Sequence, residues 1–169
     1  MRWPFCRLLP GDKAGYRLIF RKMETKKVKK TFVQGPIPAS RVAEMITAHQ
    51  HKTNIGAHDI FLGQVRADVI DGRTVEAIEY SAYEEMAEAA FHEIRESAFE
   101  KFDLTCCHIV HSLGRVAAGE LCLVVFTSSP HRQAAFESCR YMVEAIKTRV
   151  PIFGKELLSD HSHQWKTNT

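Results

Sequence analysis

The residues best placed to do chemistry cluster at two ends of one predicted helix. Ser128-Ser129-Pro130-His131-Arg132 precedes a helical pattern from about Pro130 to Arg149, with Phe136, Cys139, Met142, Val143 and Ile146 facing inward. Ser129 suits an N-cap and Pro130 the first helical position. A helix N-terminus favours acidic side chains, yet this first turn carries His131 and Arg132, as expected where an anion is bound. An arginine paired with a surface carboxylate satisfies the same pattern. The other end is also basic, with Lys147, Arg149 and, beyond Pro151, Lys155. Helix dipoles favour cations there, and a lysine among cations can also serve as nucleophile or proton shuttle. A third candidate is Arg66 in Phe61-Leu62-Gly63-Gln64-Val65-Arg66, where Gly63 permits a close approach of backbone or ligand; a polar residue on a solvent face reads the same way.

The elements that must position these groups read as one domain. A first strand spans Thr31 to Ile37, and a helix capped by Ser40 runs from Arg41 to His51 with Val42, Met45 and Ile46 inward. Asp59–Val69 and Thr74–Tyr83, joined at Asp71-Gly72, read as a hairpin. Glu84–Phe102 is the clearest helix: Met86, Ala90, Ile94 and Ala98 recur every fourth residue, with Ala87 and Phe91, opposite an acidic face. Strands follow at Thr105–Leu113 and Glu120–Thr127 around a turn at Gly114–Gly119, and the tail from Ile152 is extended or looped. The fold class is α+β, with a mostly antiparallel sheet, hairpins and about three helices.

Composition narrows the function classes. The net charge is +3, but residues 1–30 carry +8 and residues 31–169 carry −5. An acidic body argues against nucleic acid as a partner. No apolar run approaches the roughly 18 residues of a membrane span. Residues 1–22 read as a dispensable N-terminal extension, spurious or disordered, before a natural start at Met23, with a transit segment as the alternative, and residues 23–169 as the single functional domain. Cys6, Cys106, Cys107, Cys122 and Cys139 show no C-x-x-C spacing. Adjacent Cys106 and Cys107 point to opposite faces of a strand, so reduced thiols in a cytoplasmic protein are expected. The close pairs His49/His51, His108/His111 and His161/His163 form no recognisable ligand motif, and no metal site is expected.

Three segments together resemble a known family: FLGQVRAD with IEYSAYEEMAEAAF, HSLGRVAAGELCLVVFTSSPHRQAAFESC, and YMVEAIKTRVPIFGKE with downstream Trp165. From about Phe32 to Trp165 the chain resembles the large, catalytic subunits of molybdopterin synthase, the MoaE family. The resemblance implies an α/β hammerhead-like fold and a homodimer within a heterotetramer. It implies a small ubiquitin-like MoaD-type partner ending in a Gly-Gly thiocarboxylate. It also implies transfer of two sulfurs to cyclic pyranopterin monophosphate, without cofactor or metal, to make the molybdopterin dithiolene. By resemblance Lys147 is the main catalytic lysine. Gln64, Val65, Arg66, His131 and Arg132 match substrate-contact positions, with Gly154 and Glu156 beside them.

One departure stands out. Relatives commonly read P-I-W-K-K-E where this chain has Pro151-Ile152-Phe153-Gly154-Lys155-Glu156. The second functional lysine falls on Gly154, and the expectation is that Lys155 takes its role through a local backbone shift. A non-catalytic scaffold that docks a ubiquitin-like sulfur carrier is the alternative this departure supports. Arg132 and Lys147 are also too far apart on one helix, at about 22 Å, to meet around one small substrate. A pocket shared across a two-fold axis is therefore expected.

Overall fold

The computed structural model describes residues 31–166, so the reading of residues 1–22 and of Met23 lies outside the described residues. The elements are β1 (Phe32–Gln34), α1 (Ala39–His49), β2 (Ala57–Gln64), β3 (Val69–Ile70), β4 (Arg73–Ala82), α2 (Glu84–Lys101), β5 (Cys106–Ala117), β6 (Leu121–Ser129), α3 (Arg132–Arg149), β7 (Ile152–Leu158) and β8 (His163–Trp165). The strands form one sheet in the order β2-β6-β5-β4-β7-β8, with β1 added to β5 and β3 to β4. Only the β1–β5 pairing is parallel. The α+β class, the antiparallel sheet and the three helices agree with the sequence reading.

At β5 and β6 the sheet is buried on both sides, and their successive residues point into different cores. Cys107, Ile109, Leu123 and Val125 join a large core with α2 and α3. Cys106, Val110, Val124 and Phe126 join a smaller one with Met45 of α1. Cys106 and Cys107 do therefore face apart. In α2 the buried stripe is Ala87, Phe91, Ile94 and Ala98, together with Arg95. Thr31, just before β1, is tied to α2, since its N–H and hydroxyl both donate to the Glu88 carboxylate, at 2.7 and 2.8 Å.

Several boundaries differ from the sequence reading. Residues 57–82 are not one hairpin. β2 pairs with β6 along its length, and a register irregularity at Gly63/Gln64 ends it. Val65 then drops into the core, 1% exposed, and exchanges backbone hydrogen bonds with Gly119 and Glu120. The Asp71-Gly72 turn is real, with both residues at positive φ, but it joins only β3 to β4. The expected turn at Gly114–Gly119 begins too early. β5 continues to Ala117, and Gly114, at φ 75°, lies where the strand changes partner from β6 to β4. α1 starts after Pro38 with no side-chain cap, so Ser40 lies inside it. Ile46, Met86 and Phe136, expected inside, are exposed at the margins of stripes whose other members, among them Met45, Ile94, Ala98, Cys139, Met142 and Ile146, are buried as read.

Two outcomes follow from this packing. Phe91 is fully buried, with its ring 5.5 Å from that of Phe32. Phe91→Ala is expected to cost about 3–5 kcal/mol in urea unfolding, and Phe99→Ala on the exposed side far less. His111 in β5 is buried, and its Nδ1–H donates to the Ser112 carbonyl at 2.8 Å. Burial pushes its pKa down from 6.5 to about 4, with that hydrogen bond opposing part of the shift. The unfolded chain then binds the extra proton between these values. The stabilisation is complete above about pH 6.5 and is lost as pH falls toward 4, on the order of 3 kcal/mol. His111→Phe is expected to flatten that part of a stability–pH curve measured by denaturant unfolding.

Candidate functional site

A cavity of about 400 Å³ opens where β2 ends, α3 ends and β7 begins. Its size suits a small organic ligand. Gln64, Val65 and Arg66 form one side, Lys147 and Val150 at the end of α3 another, and Gly154 of β7 with Lys166 a third. Tyr80, His111 and Cys122 from three adjacent strands also line it.

Each wall has a local cause. Gly63 lies tight against its neighbours, since a Cβ there would stand 3.0 Å from that of Leu123 and 3.4 Å from the Phe61 ring. The close approach anticipated at this glycine is therefore to a neighbouring strand. Past the strand end, Arg66 lies in a loop rather than in a strand, its side chain 78% exposed and its Nη2 3.0 Å from Asp68 Oδ2. Such an exposed pair holds a side chain only weakly, leaving Arg66 available to an anion. Lys147 sits in the last turn of α3, where the helix dipole favours a cation.

Burial raises the pKa values of both the Tyr80 hydroxyl and the Cys122 thiol, and the thiol donates to the Gly63 carbonyl at 3.4 Å. The charges of Lys147 and Lys166 both reach Cys122 and pull the other way, more weakly than burial. Cys122 is thus a protonated thiol rather than a ready nucleophile.

Lys155 does not line this cavity. From Ile152 to Leu157, β7 keeps a regular register against β4, pairing Gly154 with Tyr80 and Lys155 with Glu79, and the ladder's one irregularity lies beyond this stretch, between Val75 and Ala77. Strand alternation therefore turns Gly154 inward and Lys155 outward, where its Nζ lies 3.4 Å from Glu79 Oε2. The backbone shift expected at Gly154 is not present. Lys166, a residue the sequence reading missed, occupies the space instead. Its N–H donates to the Gly154 carbonyl at 2.8 Å. A Cβ on Gly154 would stand 3.4 Å from Lys166 Cβ and 3.6 Å from its Cδ. The lysine stem thus lies over the glycine. Its Nζ is 3.2 Å from Oε1 of Glu156, which is buried and also accepts from Gln164 Nε2 at 2.8 Å. Glu156 holds Lys166 and is not itself among the lining residues. No local sequence signal marks Lys166; the β7–β8 register, which sets Trp165 opposite Lys155, places it.

His131 and Arg132 lie at the far end of α3, both exposed. The helix is unbroken from Arg132 to Arg149, so one chain does not bring them to Lys147. The N-terminus also differs in detail. Ser129 still belongs to β6, paired with Ala57, and its hydroxyl donates to the Asp103 carbonyl at 2.8 Å. The ladder takes precedence over capping, and His131 becomes the N-cap, with no side-chain cap bond and no acidic residue in the first turn. Gly56 supports this junction, since a Cβ there would overlap the Pro130 carbonyl.

Comparison with known proteins agrees with this fold. The family described as MoaE protein matches residues 33–149. The molybdopterin synthase catalytic subunit of Thermoplasma volcanium is 38% identical over 114 residues, covering 68% of this chain and 82% of that one. Fly relatives are longer, and the chain spans 31% of the Drosophila willistoni protein. The crystal structure of molybdopterin synthase from Staphylococcus aureus superposes with TM-score 0.71 at 32% identity, over 81% of this chain and 96% of that one. The complex of subunits 1 and 2 of molybdopterin-converting factor from Helicobacter pylori shares the fold, with TM-score 0.69 at 20% identity, over 81% and 89% of the two chains. With a family match across most of its body and close relatives that agree, the chain belongs to the MoaE family, the catalytic subunits of molybdopterin synthase in molybdenum cofactor biosynthesis.

Proposed function

We propose that the cavity receives cyclic pyranopterin monophosphate together with the C-terminal thiocarboxylate of a small ubiquitin-like MoaD-type subunit, and that sulfur passes between them there. The observation that carries this reading is the pair of lysines, Lys147 and Lys166, on one small cavity of an otherwise acidic body. Both reactants are anionic, so the cations supply attraction and charge balance in a partly enclosed site. Lys147 orients the carbonyl–sulfur centre and stabilises the negative charge that develops as sulfur leaves the partner. Gln64, Val65 and Arg66 form the substrate-facing edge. Lys166, held by Glu156 over Gly154, takes the second-lysine role that the sequence alone assigned to Lys155.

The partner supplies the sulfur, in keeping with the buried, protonated Cys122. Cys106, Cys122 and Cys139 are free thiols, which suits a cytoplasmic enzyme. Among the described residues no helix is long and apolar enough to cross a membrane. Two copies form a homodimer within a heterotetramer, and His131 and Arg132 of one copy complete the pocket built on Lys147 of the other.

Two assays test this. With thiocarboxylated partner and cyclic pyranopterin monophosphate, Lys147→Ala is expected to lower molybdopterin formation about a hundredfold while still binding the partner. A wild-type chain that binds the partner and makes no product would instead identify a docking scaffold. Mixed dimers of Lys147→Ala and Arg132→Ala chains keep one intact pocket if the site is shared between subunits. Recovery of activity on mixing is expected, and failure to recover would contradict the shared site.

A further inference from the structure

On the sheet face opposite the cavity, three side chains from two elements converge. His49 from the last turn of α1 and Cys106 and His108 from β5 place their ligand atoms within 4.8 Å of one another. We propose that these three residues form a zinc site that fastens α1 to the sheet, with the fourth position taken by His58 or water.

The spacing fits the metal. His49 Nε2 and His108 Nε2 are 3.2 Å apart. Two imidazole nitrogens, each about 2.0–2.1 Å from a tetrahedral zinc ion, stand about 3.3 Å apart. The tautomer fits as well. His49 Nδ1 lies 2.6 Å from the Met45 carbonyl, so that nitrogen carries the hydrogen and Nε2 presents its lone pair to the cluster. A ring hydrogen donated to a backbone carbonyl is the usual arrangement behind a metal-bound histidine. His58 flanks the group: it and Cys106 sit opposite Ser128 from the two neighbouring strands, and its Nδ1 is 2.7 Å from the Ser128 hydroxyl.

The surroundings select the ion. Cys106 is a free thiol, 9% exposed, and His49 is 6% exposed. The Phe126 ring closes the floor, with its centroid 5.1 Å from that of His49 and 5.9 Å from that of His108. Nitrogen and sulfur donors in a closed pocket favour zinc over magnesium or calcium. Binding releases the Cys106 proton to solvent, and His108 moves its ring hydrogen to Nδ1 so that Nε2 can coordinate. The role follows from how α1 is attached. It has no side-chain N-cap, and its buried residues are Met45 and His49. A bond through His49 therefore acts on one of the helix's two buried anchors, and binding energy becomes folding energy.

The test uses the full chain, stripped with a chelator and titrated with Zn²⁺ or Co²⁺. The expected result is one ion per chain, a tetrahedral Co²⁺ spectrum with a thiolate charge-transfer band, and a higher Tm with Zn²⁺. Cys106→Ser is expected to abolish the charge-transfer band. Cys106→Ser and His108→Asn are each expected to weaken Zn²⁺ binding more than about tenfold. Zinc is also expected to slow amide exchange across residues 39–49 of the unsubstituted chain, which reads the same contact if a variant fails to fold. No bound zinc, a cobalt spectrum without the thiolate band, undiminished affinity in both variants, or unchanged exchange in α1 would overturn the proposal.

Discussion

Two-sided burial of the β5–β6 ladder is the constraint on which the rest of the structure depends. Every second residue of these strands must satisfy a different core, so a one-residue slip would exchange the two faces. Leu123, Val125 and His111 face α2, α3 and the cavity, while Cys106, His108, Val124 and Phe126 face α1. The cavity and the histidine–cysteine cluster are thus fixed on opposite sides by the same ladder. α3 packs on β6 and β2 on the cavity side, which sets Lys147 at the cavity mouth.

The same alternation operates in β7 and decides which cations face the cavity. Pairing of Gly154 with Tyr80 turns position 154 toward the cavity and position 155 away. A lysine one position along the strand therefore has the right charge on the wrong face. The hairpin to β8 brings Lys166 back over the vacant glycine, and buried Glu156 holds its ammonium. Removing Glu156 would leave the lysine without this partner, whereas the exposed Lys155–Glu79 pair has little structural consequence.

Local chemistry made much of this legible from sequence. The Asp71-Gly72 turn, the three helices and the basic ends of α3 follow from turn propensity, periodicity and spacing. The family followed from motif combinations that few other chains carry. Features set by long-range pairing were hidden. β2 was joined to β4 because Asp59–Val69 looks like a continuous strand, and nothing local shows Val65 leaving the ladder for the core. Gly114 reads as a turn residue because its positive φ is visible as a preference, while its use at a change of strand partner is not. Lys166 was missed for the same reason, since its relation to Gly154 exists only through the β7–β8 register. His49 lies far in sequence from Cys106 and His108, so its meeting with them was equally out of reach.

The central claim is that two lysines on one cavity, Lys147 and Lys166, act on the substrate, and that Lys155 does not. Single-turnover formation of molybdopterin from thiocarboxylated partner and cyclic pyranopterin monophosphate tests it most directly, with Lys166→Ala compared with Lys155→Ala in chains of equal stability. The account predicts a loss of about a hundredfold for Lys166→Ala and a near-normal rate for Lys155→Ala. A normal rate for Lys166→Ala, with the loss falling on Lys155→Ala, would contradict it.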